Sequence, residues 1–437
     1  MTTLQHASPS LALAPDPCLP QRDTLLSAPE MARRFSILLD TSGDHTPHTF
    51  TRCEWTRAKY RIGESLRVLY QLRIDDTAHA VTARTFRNGA SAQAYQTASR
   101  TALPCGPLPA VLHDPTLDTV FWTFPNDRKI AHLSLLHNVP PHLSQLLAQP
   151  WGASRLVSYA PERAAIAQCL SADGTVLAYA KLYAGTEGEQ SFAIHTALYQ
   201  HVPVDDPHLR LPRAFAYTAR ERLLLLEPIV GQHAEALDEE ALPDATRRFG
   251  AAVARLHSLP PPPNVPEFSH LTISALHTAA RVLAQVRPDI GEGAERLVRE
   301  LDKRWDTSDE LSVCLHGDVN FKNWLATSDR VALIVLDAVS TGPAAADIGG
   351  VLSGLWYRYR VGRFSAATER HLARAFLAGY AAVRPLPSPA IVRWYTAAAL
   401  LAERVLRAVT RIRPEGLPHL NTLLTDAHTL LTGRCHD

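Results

Sequence analysis

The chain has 437 residues, 46% of them hydrophobic and 20% charged, with 44 Lys plus Arg against 43 Asp plus Glu. That composition excludes a disordered or collagen-like chain, and a net charge of +1 gives no global field for nucleic acid or an anionic membrane. The length predicts two or three domains, and the balance makes a small molecule the default partner.

The cysteines (Cys18, Cys53, Cys105, Cys169, Cys314 and Cys435) stand far apart, with no CxxC pair or Cys/His cluster. This argues against a disulfide framework or a zinc site and predicts reduced thiols in a cytoplasmic protein. The first residues lack the basic start of a secretory signal, and no apolar run reaches about 18 residues, so no membrane span is expected. Only five lysines occur (Lys59, Lys129, Lys181, Lys303 and Lys322), so a lysine at a special place carries information.

In chain order, residues 1–30 are rich in Pro, Ser and Ala and are expected to form a mobile tail. LRVLYQLRI (66–74) and AVTARTF (80–86) flank a polar turn and read as a β-hairpin. A second set of the same kind runs from Arg155 through SADG into TVLAYAKLY (175–183). Tyr60 precedes Arg84 by 24 residues and Tyr159 precedes Lys181 by 22. PAVLHDPTLDTVFWTFP (109–125) and PRAFAYTARERLLLLEP (212–228) have equal length, and each reads as strand, polar turn, apolar strand. These pairings imply a duplicated β unit with a degenerate first copy; two unrelated antiparallel meanders are the alternative. A helix is expected over 132–150, between the two sets.

Beyond Gly231 the periodicity becomes helical: 244–259 with Phe249, Val253 and Leu256 on one face, then 274–286, 291–305 and further helices past residue 350. Strands followed by helices predict an α+β fold with segregated lobes rather than a doubly wound sheet. The expected organisation is a tail (1–30), an N-terminal cap (31–150), a β-rich lobe (151–230) and a helical lobe (231–437).

LSVCLHGDVNFKNWL (311–325) and VALIVLDAVSTGPAAADIGG (331–350) carry the chemistry. Two short apolar strands, ending at His316-Gly317-Asp318 and at Asp337, would deliver two carboxylates and the Asn323 amide to one point. Phosphoryl transfer from ATP needs such a set: Asp318 to position a hydroxyl and accept its proton, Asn323 and Asp337 as oxygen ligands for Mg²⁺. An Asp- and Asn-rich turn with no chemistry is the bland alternative.

HGDVNFKN matches the HGDxxxxN signature of the aminoglycoside phosphotransferase and choline kinase superfamily, and Asp337, Gly342 and Asp347 reproduce its DxxxxGxxxxD element. Residues 155–437 resemble that superfamily, and the added N-terminal unit resembles that of maltokinase-like members. The resemblance implies a bilobal, protein-kinase-like fold and further roles. Lys181 would pair with the α- and β-phosphates, and Glu227 and Ile229 would form a hinge whose backbone holds adenine. His316, Asp347 and His257 would give structural support. The glutamate that should pair with Lys181 is assigned to Glu189, although the expected place inside the helix falls nearer His195. The YAPER turn (159–163) takes the place of a glycine-rich loop; Arg163 or Ser158 touching phosphate is one reading, and exposed turn residues the preferred one.

The acceptor reading rests on charge. Residues 351–437 carry a balance of +7 and residues 232–310 a balance of −5. A polycationic aminoglycoside calls for carboxylates, whereas a neutral sugar or related metabolite tolerates arginine. The basic terminal helices weaken the antibiotic reading and the acidic helices keep it open, and the resemblance to maltokinase-like sugar kinases tips the reading to a neutral sugar or related metabolite; a catalytically silent scaffold also stays open, and oligomeric state is not legible. The aromatic group Trp356, Tyr357, Tyr359, Trp394 and Tyr395 is either the floor of an acceptor site or core.

Overall fold

The computed structural model describes residues 13–40, 50–74, 77–106, 108–305 and 311–433. Cys435, residues 1–12 and the tip of the first hairpin lie outside them. The fold is α+β, in two compact units. The first takes Met1–Thr186, Thr218–Leu223 and Ala408–Leu417; the second takes Glu187–Tyr217, Leu224–Arg407 and Pro418–Asp437. Among the described residues no helix is long and apolar enough to cross a membrane.

In the first unit, α1 (Arg22–Leu26) and α2 (Ala28–Asp40) precede β1 (Phe50–Arg61), β2 (Ser65–Ile74) and β3 (Thr77–Thr85). Next come α3 (Ser91–Thr101), β4 (Val111–Asp114) and β5 (Thr119–Thr123), forming a sheet of order β1-β2-β3-β5-β4. Phe35 of α2 packs edge-on against Tyr70 and Phe121, at centroid distances of 5.3 and 5.1 Å, and anchors that helix to the sheet. The segment expected to be a tail is thus structured from Leu13 onward. Composition cannot show its tether: the Asp16 carboxylate accepts from Tyr60 Oη (2.6 Å) and the Gly63 amide (2.9 Å), while buried Arg22 donates to the Ala14 carbonyl. The helix expected over 132–150 is reduced to a 3₁₀ turn at Leu133–Leu136 and α4 (Pro141–Ser144), because Pro140 and Pro141 interrupt it.

After α4 come β6 (Ala153–Ala160), β7 (Ala164–Leu170) and β8 (Val176–Tyr183), an antiparallel meander in which Ala165, Ala167 and Cys169 alternate inward along β7. Burial pushes the Cys169 thiol up to about 12, so it packs as a small apolar side chain.

The two meanders match at the level of single hydrogen bonds. Tyr159 Oη and the Glu162 amide donate to Asp127 at 2.6 and 2.9 Å, as Tyr60 and Gly63 do to Asp16. Gly63 and Glu162 both hold positive φ (68° and 57°). At the far end, Phe86 N–H donates to Asp118 O (2.8 Å) and Tyr183 N–H to Arg222 O (3.0 Å), both acceptors again at positive φ. Counting back from Phe86 and Tyr183 puts Arg84 at the position of Lys181. The first meander is followed in the chain by one helix and two strands, the second by one helix, the short strand Leu209–Arg210 and then the strands Ala214–Thr218 and Leu223–Leu226.

The second unit starts with α5 (Glu187–His201), β9 (Leu209–Arg210), β10 (Ala214–Thr218), β11 (Leu223–Leu226) and β12 (Gln232–His233). The helices α6 (Ala241–Leu256), α7 (Ile273–Val286) and α8 (Pro288–Lys303) follow. Residues 311–350 contribute β13 (Ser312–Leu315), β14 (Trp324–Ala326), β15 (Val331–Leu333) and β16 (Ser340–Pro343). Then come α9 (Ala344–Arg360), α10 (Ala366–Ala381), α11 (Pro389–Ala399), a π-helical stretch Leu400–Val405, α12 (Leu406–Thr410) and α13 (Leu420–Thr432). Helix starts follow local chemistry: the Thr272, Ser365 and Ser388 hydroxyls cap α7, α10 and α11. Phe249 of α6, on the predicted apolar face, stacks on Trp324 at 4.7 Å and meets Phe376 of α10 at 5.4 Å. That core holds β14 and the turn before it against the helices.

Candidate active site

β13 pairs with β16 in antiparallel register, Leu315 opposite Ser340, so the chain leaves β13 directly into His316-Gly317-Asp318. Asp347, in the first turn of α9 and 3% exposed, clamps this turn. Its Oδ2 accepts from the His316 amide (2.7 Å) and its Oδ1 from the Gly317 amide (3.0 Å). His257 Nε2 lies 3.1 Å from the same Oδ2, with Nδ1 2.9 Å from Tyr380 Oη. A buried carboxylate so fully bonded fixes backbone rather than reacting. The His316 ring completes the clamp, with Nε2 3.0 Å from the Ile334 carbonyl and the Asp318 amide donating to Nδ1 at 3.4 Å. Beneath it, burial and then the Asp347 charge push the Cys314 thiol up to about 12, which leaves no thiolate nucleophile there.

Gly317 holds φ of 75°, and a Cβ there would sit 2.0 Å from the Ala338 carbonyl oxygen. The two motif segments therefore touch through backbone. Asp337 does not end a strand as expected. β15 stops at Leu333, Val335 takes a left-handed conformation (φ 63°), and Asp337 sits in a 3₁₀ turn, Leu336–Ala338. A β-branched residue at positive φ is strained, and here it lies at the bend that brings Asp337 immediately before Ala338, the residue in contact with Gly317. Ile334 N–H also donates to the Asn323 carbonyl at 2.9 Å, joining the two loops.

Asp318, Asn323 and Asp337 are thus brought into one small region of the second unit, with His316 and Asp347 behind them. Asn323 Nδ2 donates to the Asp318 carbonyl (2.8 Å) and to its Oδ2 (3.1 Å), and Asn320 Nδ2 donates to Oδ1 (3.2 Å). The Asn323 Oδ1 and the Asp337 carboxylate are hard oxygens of the kind Mg²⁺ takes, since it binds through few carboxylates plus substrate phosphates. Among the described residues no three His, Cys, Asp or Glu side chains form an all-protein metal cage.

Lys181 lies in the first unit, opposite Ile166 on β7, 5% exposed, with Nζ 4.9 Å from the Tyr183 ring centroid. Glu189 stands exposed in the first turn of α5, and His195 is buried with Nδ1 3.1 Å from the Pro212 carbonyl. At the expected hinge, Glu227 pairs with Arg210 (2.8 Å) and its amide donates to Arg213 O (2.8 Å). The side chain is therefore structural, while Ile229 is half-buried beyond it. Gly231 packs against β14, where a Cβ would lie 2.9 Å from the Ala326 carbonyl oxygen.

The sequence reading missed three residues. Ser191 Oγ donates to Asp337 Oδ1 at 3.0 Å, Asn320 holds Asp318, and Arg407 Nη1 lies 3.8 Å from Asp318 Oδ1. Asn320 was visible inside HGDVN; Ser191 and Arg407 carry no local signal. Arg407 follows the π-helical stretch, whose Arg404 is buried and donates to Ser353 Oγ (3.1 Å) and Gly350 O (2.6 Å). The aromatic group is largely core: Tyr357, Trp394 and Tyr395 are buried, and Trp394 Nε1 donates to the Leu301 carbonyl (2.9 Å).

Solved structures similar to this chain include an aminoglycoside phosphotransferase, APH(3'')-Id, from Streptomyces rimosus (21% identity, 57% of this chain and 92% of that one, TM-score 0.41). A choline/ethanolamine kinase family protein from Mesorhizobium loti is similar at 16% identity, over 68% of this chain and 92% of that one, with a TM-score of 0.46. A choline kinase from Cryptosporidium parvum is similar at 12% identity, over 68% and 91%, with a TM-score of 0.48. No curated protein matches the chain. Residues 180–386 match the model of the phosphotransferase enzyme family, a stretch that holds Lys181, the HGDVNFKN segment and the Asp337–Asp347 segment. Over that stretch, just under half of its length, the chain is similar to the phosphotransferase enzyme family.

Proposed function

We propose that the protein transfers the γ-phosphoryl group of ATP to a hydroxyl of a small molecule, in a Mg²⁺-dependent reaction. The observation that carries this reading is the Asp318 carboxylate held by the Asn320 and Asn323 side-chain amides, on a turn whose Gly317 abuts Ala338, the residue after Asp337. When bound, Mg·ATP supplies the transferable phosphoryl group and the metal offsets its charge. The protein's part is positioning. Asp318 orients the acceptor hydroxyl and takes its proton; Asn323 and Asp337 hold the metal; Asp347 and His316 keep Asp318 from drifting. Lys181 would hold phosphates, Glu189 is the assigned partner of that lysine, and the Glu227 carbonyl and Ile229 amide would hold adenine.

For the acceptor, local charge favours a neutral sugar or related metabolite over an aminoglycoside. Arg407 stands 3.8 Å from Asp318, where a polycation would be repelled. Several acids of residues 232–310 are engaged in local pairs: Asp244 with Arg247 and Arg248 (2.9 and 3.0 Å), Asp289 with Arg287 (2.7 Å), Glu300 with Lys303 (3.0 Å). They form solvated helix faces rather than a carboxylate pocket.

Purified protein with Mg·ATP, offered mono- and disaccharides, aminoglycosides, choline and nucleosides, is expected to release ADP with a sugar-class acceptor. Release that requires an aminoglycoside would reassign the substrate. Failure to release ADP, together with failure to bind ATP, would leave a silent scaffold.

A further inference from the structure

The first unit carries a row of cations that the reaction does not use. On one face of its sheet, Lys59 of β1 lies directly opposite Arg67 of β2, and Arg67 directly opposite Arg84 of β3. Like charges in register across neighbouring strands destabilise a sheet. The matching positions of the second meander are Ser158, Ile166 and Lys181, so the fold does not demand the row.

Glu162, whose side chain is 4% exposed, offsets part of it, standing 3.6 Å from Arg67, 3.7 Å from Arg84 and 2.8 Å from Arg128. Burial opposes ionisation of Glu162, but the Arg128 hydrogen bond and the charges of Arg67 and Arg84 prevail and hold its carboxyl below the usual range. Two places along β1 from Lys59, Arg57 points to the same face. Arg57, Lys59 and Arg163 have no carboxylate partner among the described residues.

Together with Arg67 and Arg411 these three line a small groove of about 60 Å³, closed by Ala160 and Pro161, with no acid among its lining residues and Glu162 as the neighbouring carboxylate. The Arg67 guanidinium donates to the Pro161 carbonyl, yet its Nε is buried without a partner. Burial, then Arg163 and Arg67, holds Arg57 below its ordinary value, and burial with Arg67, Arg61, Arg411 and Arg163 does the same to Lys59. The groove is far below the roughly 300 Å³ of a drug-sized site but suits one tetrahedral anion held by guanidinium forks.

We propose that this groove is an anion site that takes a phosphate group, free or on a small metabolite, apart from the nucleotide that Lys181 would serve. An anion there relieves the cation row and ties β1 and β2 to the turn after β6.

The test is calorimetric titration of the full chain, in chloride buffer, with inorganic phosphate and separately with glucose 6-phosphate, each with and without saturating Mg·AMP-PNP. Binding is expected to persist with the nucleotide analogue present and to weaken at least about tenfold in the Arg57→Gln/Lys59→Gln double variant. AMP-PNP affinity should be unchanged in that variant, and its Tm in chloride equal to or above wild type. Tighter binding of the ester than of free phosphate would identify a phosphorylated metabolite as the source; equal binding would identify free phosphate. Undiminished binding in the double variant, displacement of both anions by Mg·AMP-PNP, or no binding to wild type would overturn the proposal.

Discussion

Replacing Asp318 with alanine is expected to lower kcat by roughly 10²- to 10⁴-fold, the range a positioned acid/base group supplies, while Mg·AMP-PNP binding stays within a factor of about three. Asp318 lies on a turn whose backbone is fixed by Asp347 and whose carboxylate is fixed by Asn320 and Asn323. The substitution removes the carboxylate without touching the clamp, since the Asn323 bond to the Asp318 carbonyl survives. Arg407 loses a partner 3.8 Å away, but at 30% exposure its charge stays solvated and costs little. The measurement is steady-state ADP release beside a nucleotide titration. Full turnover in the variant would remove Asp318 from the reaction, and loss of nucleotide binding alone would make it a binding residue instead.

The second large effect is expected at Gly317. Alanine there must take φ near 75° and place its Cβ 2.0 Å from the Ala338 oxygen and 2.9 Å from its carbonyl carbon. Neither atom is the end of a flexible side chain. The turn must shift, parting Asp318 from Asp337, at a cost of about 2 to 4 kcal/mol. Gly317→Ala should therefore lower both Tm and kcat. Gly350→Ala is the control, because a Cβ in that helix meets nothing within 4 Å and should be neutral or stabilising by up to about 1 kcal/mol. Equal Tm values for wild type and Gly317→Ala would show that the two motif segments do not abut as described.

The two motif segments were legible because their geometry is local. His316, Asp318 and Asn323 lie within one turn, and the place of Asp347 is set by β16 leading straight into α9. The parallel between Arg84 and Lys181 was also legible, since meanders with equal turn spacing keep their register. Ser191 and Arg407 were not, because each meets its carboxylate across more than eighty residues, and a lone serine or arginine has no periodicity to betray it. The run VALIVL read as a strand through Leu336, yet it is cut short at Leu333 because Val335 adopts a conformation its side chain disfavours. The segment before Ala28 lacks apolar periodicity and so read as a tail. Its order comes from the buried Asp16, Arg22 and Tyr60 contacts, which only the tertiary structure supplies.

The central claim is that the turn carrying Asp337 grips Mg·ATP. Calorimetric titration of Mg·AMP-PNP into wild type and Asp337→Ala tests it most directly. The account predicts Mg²⁺-dependent binding to wild type and at least about tenfold weaker binding to the variant; superimposable curves, or binding indifferent to Mg²⁺, would contradict it.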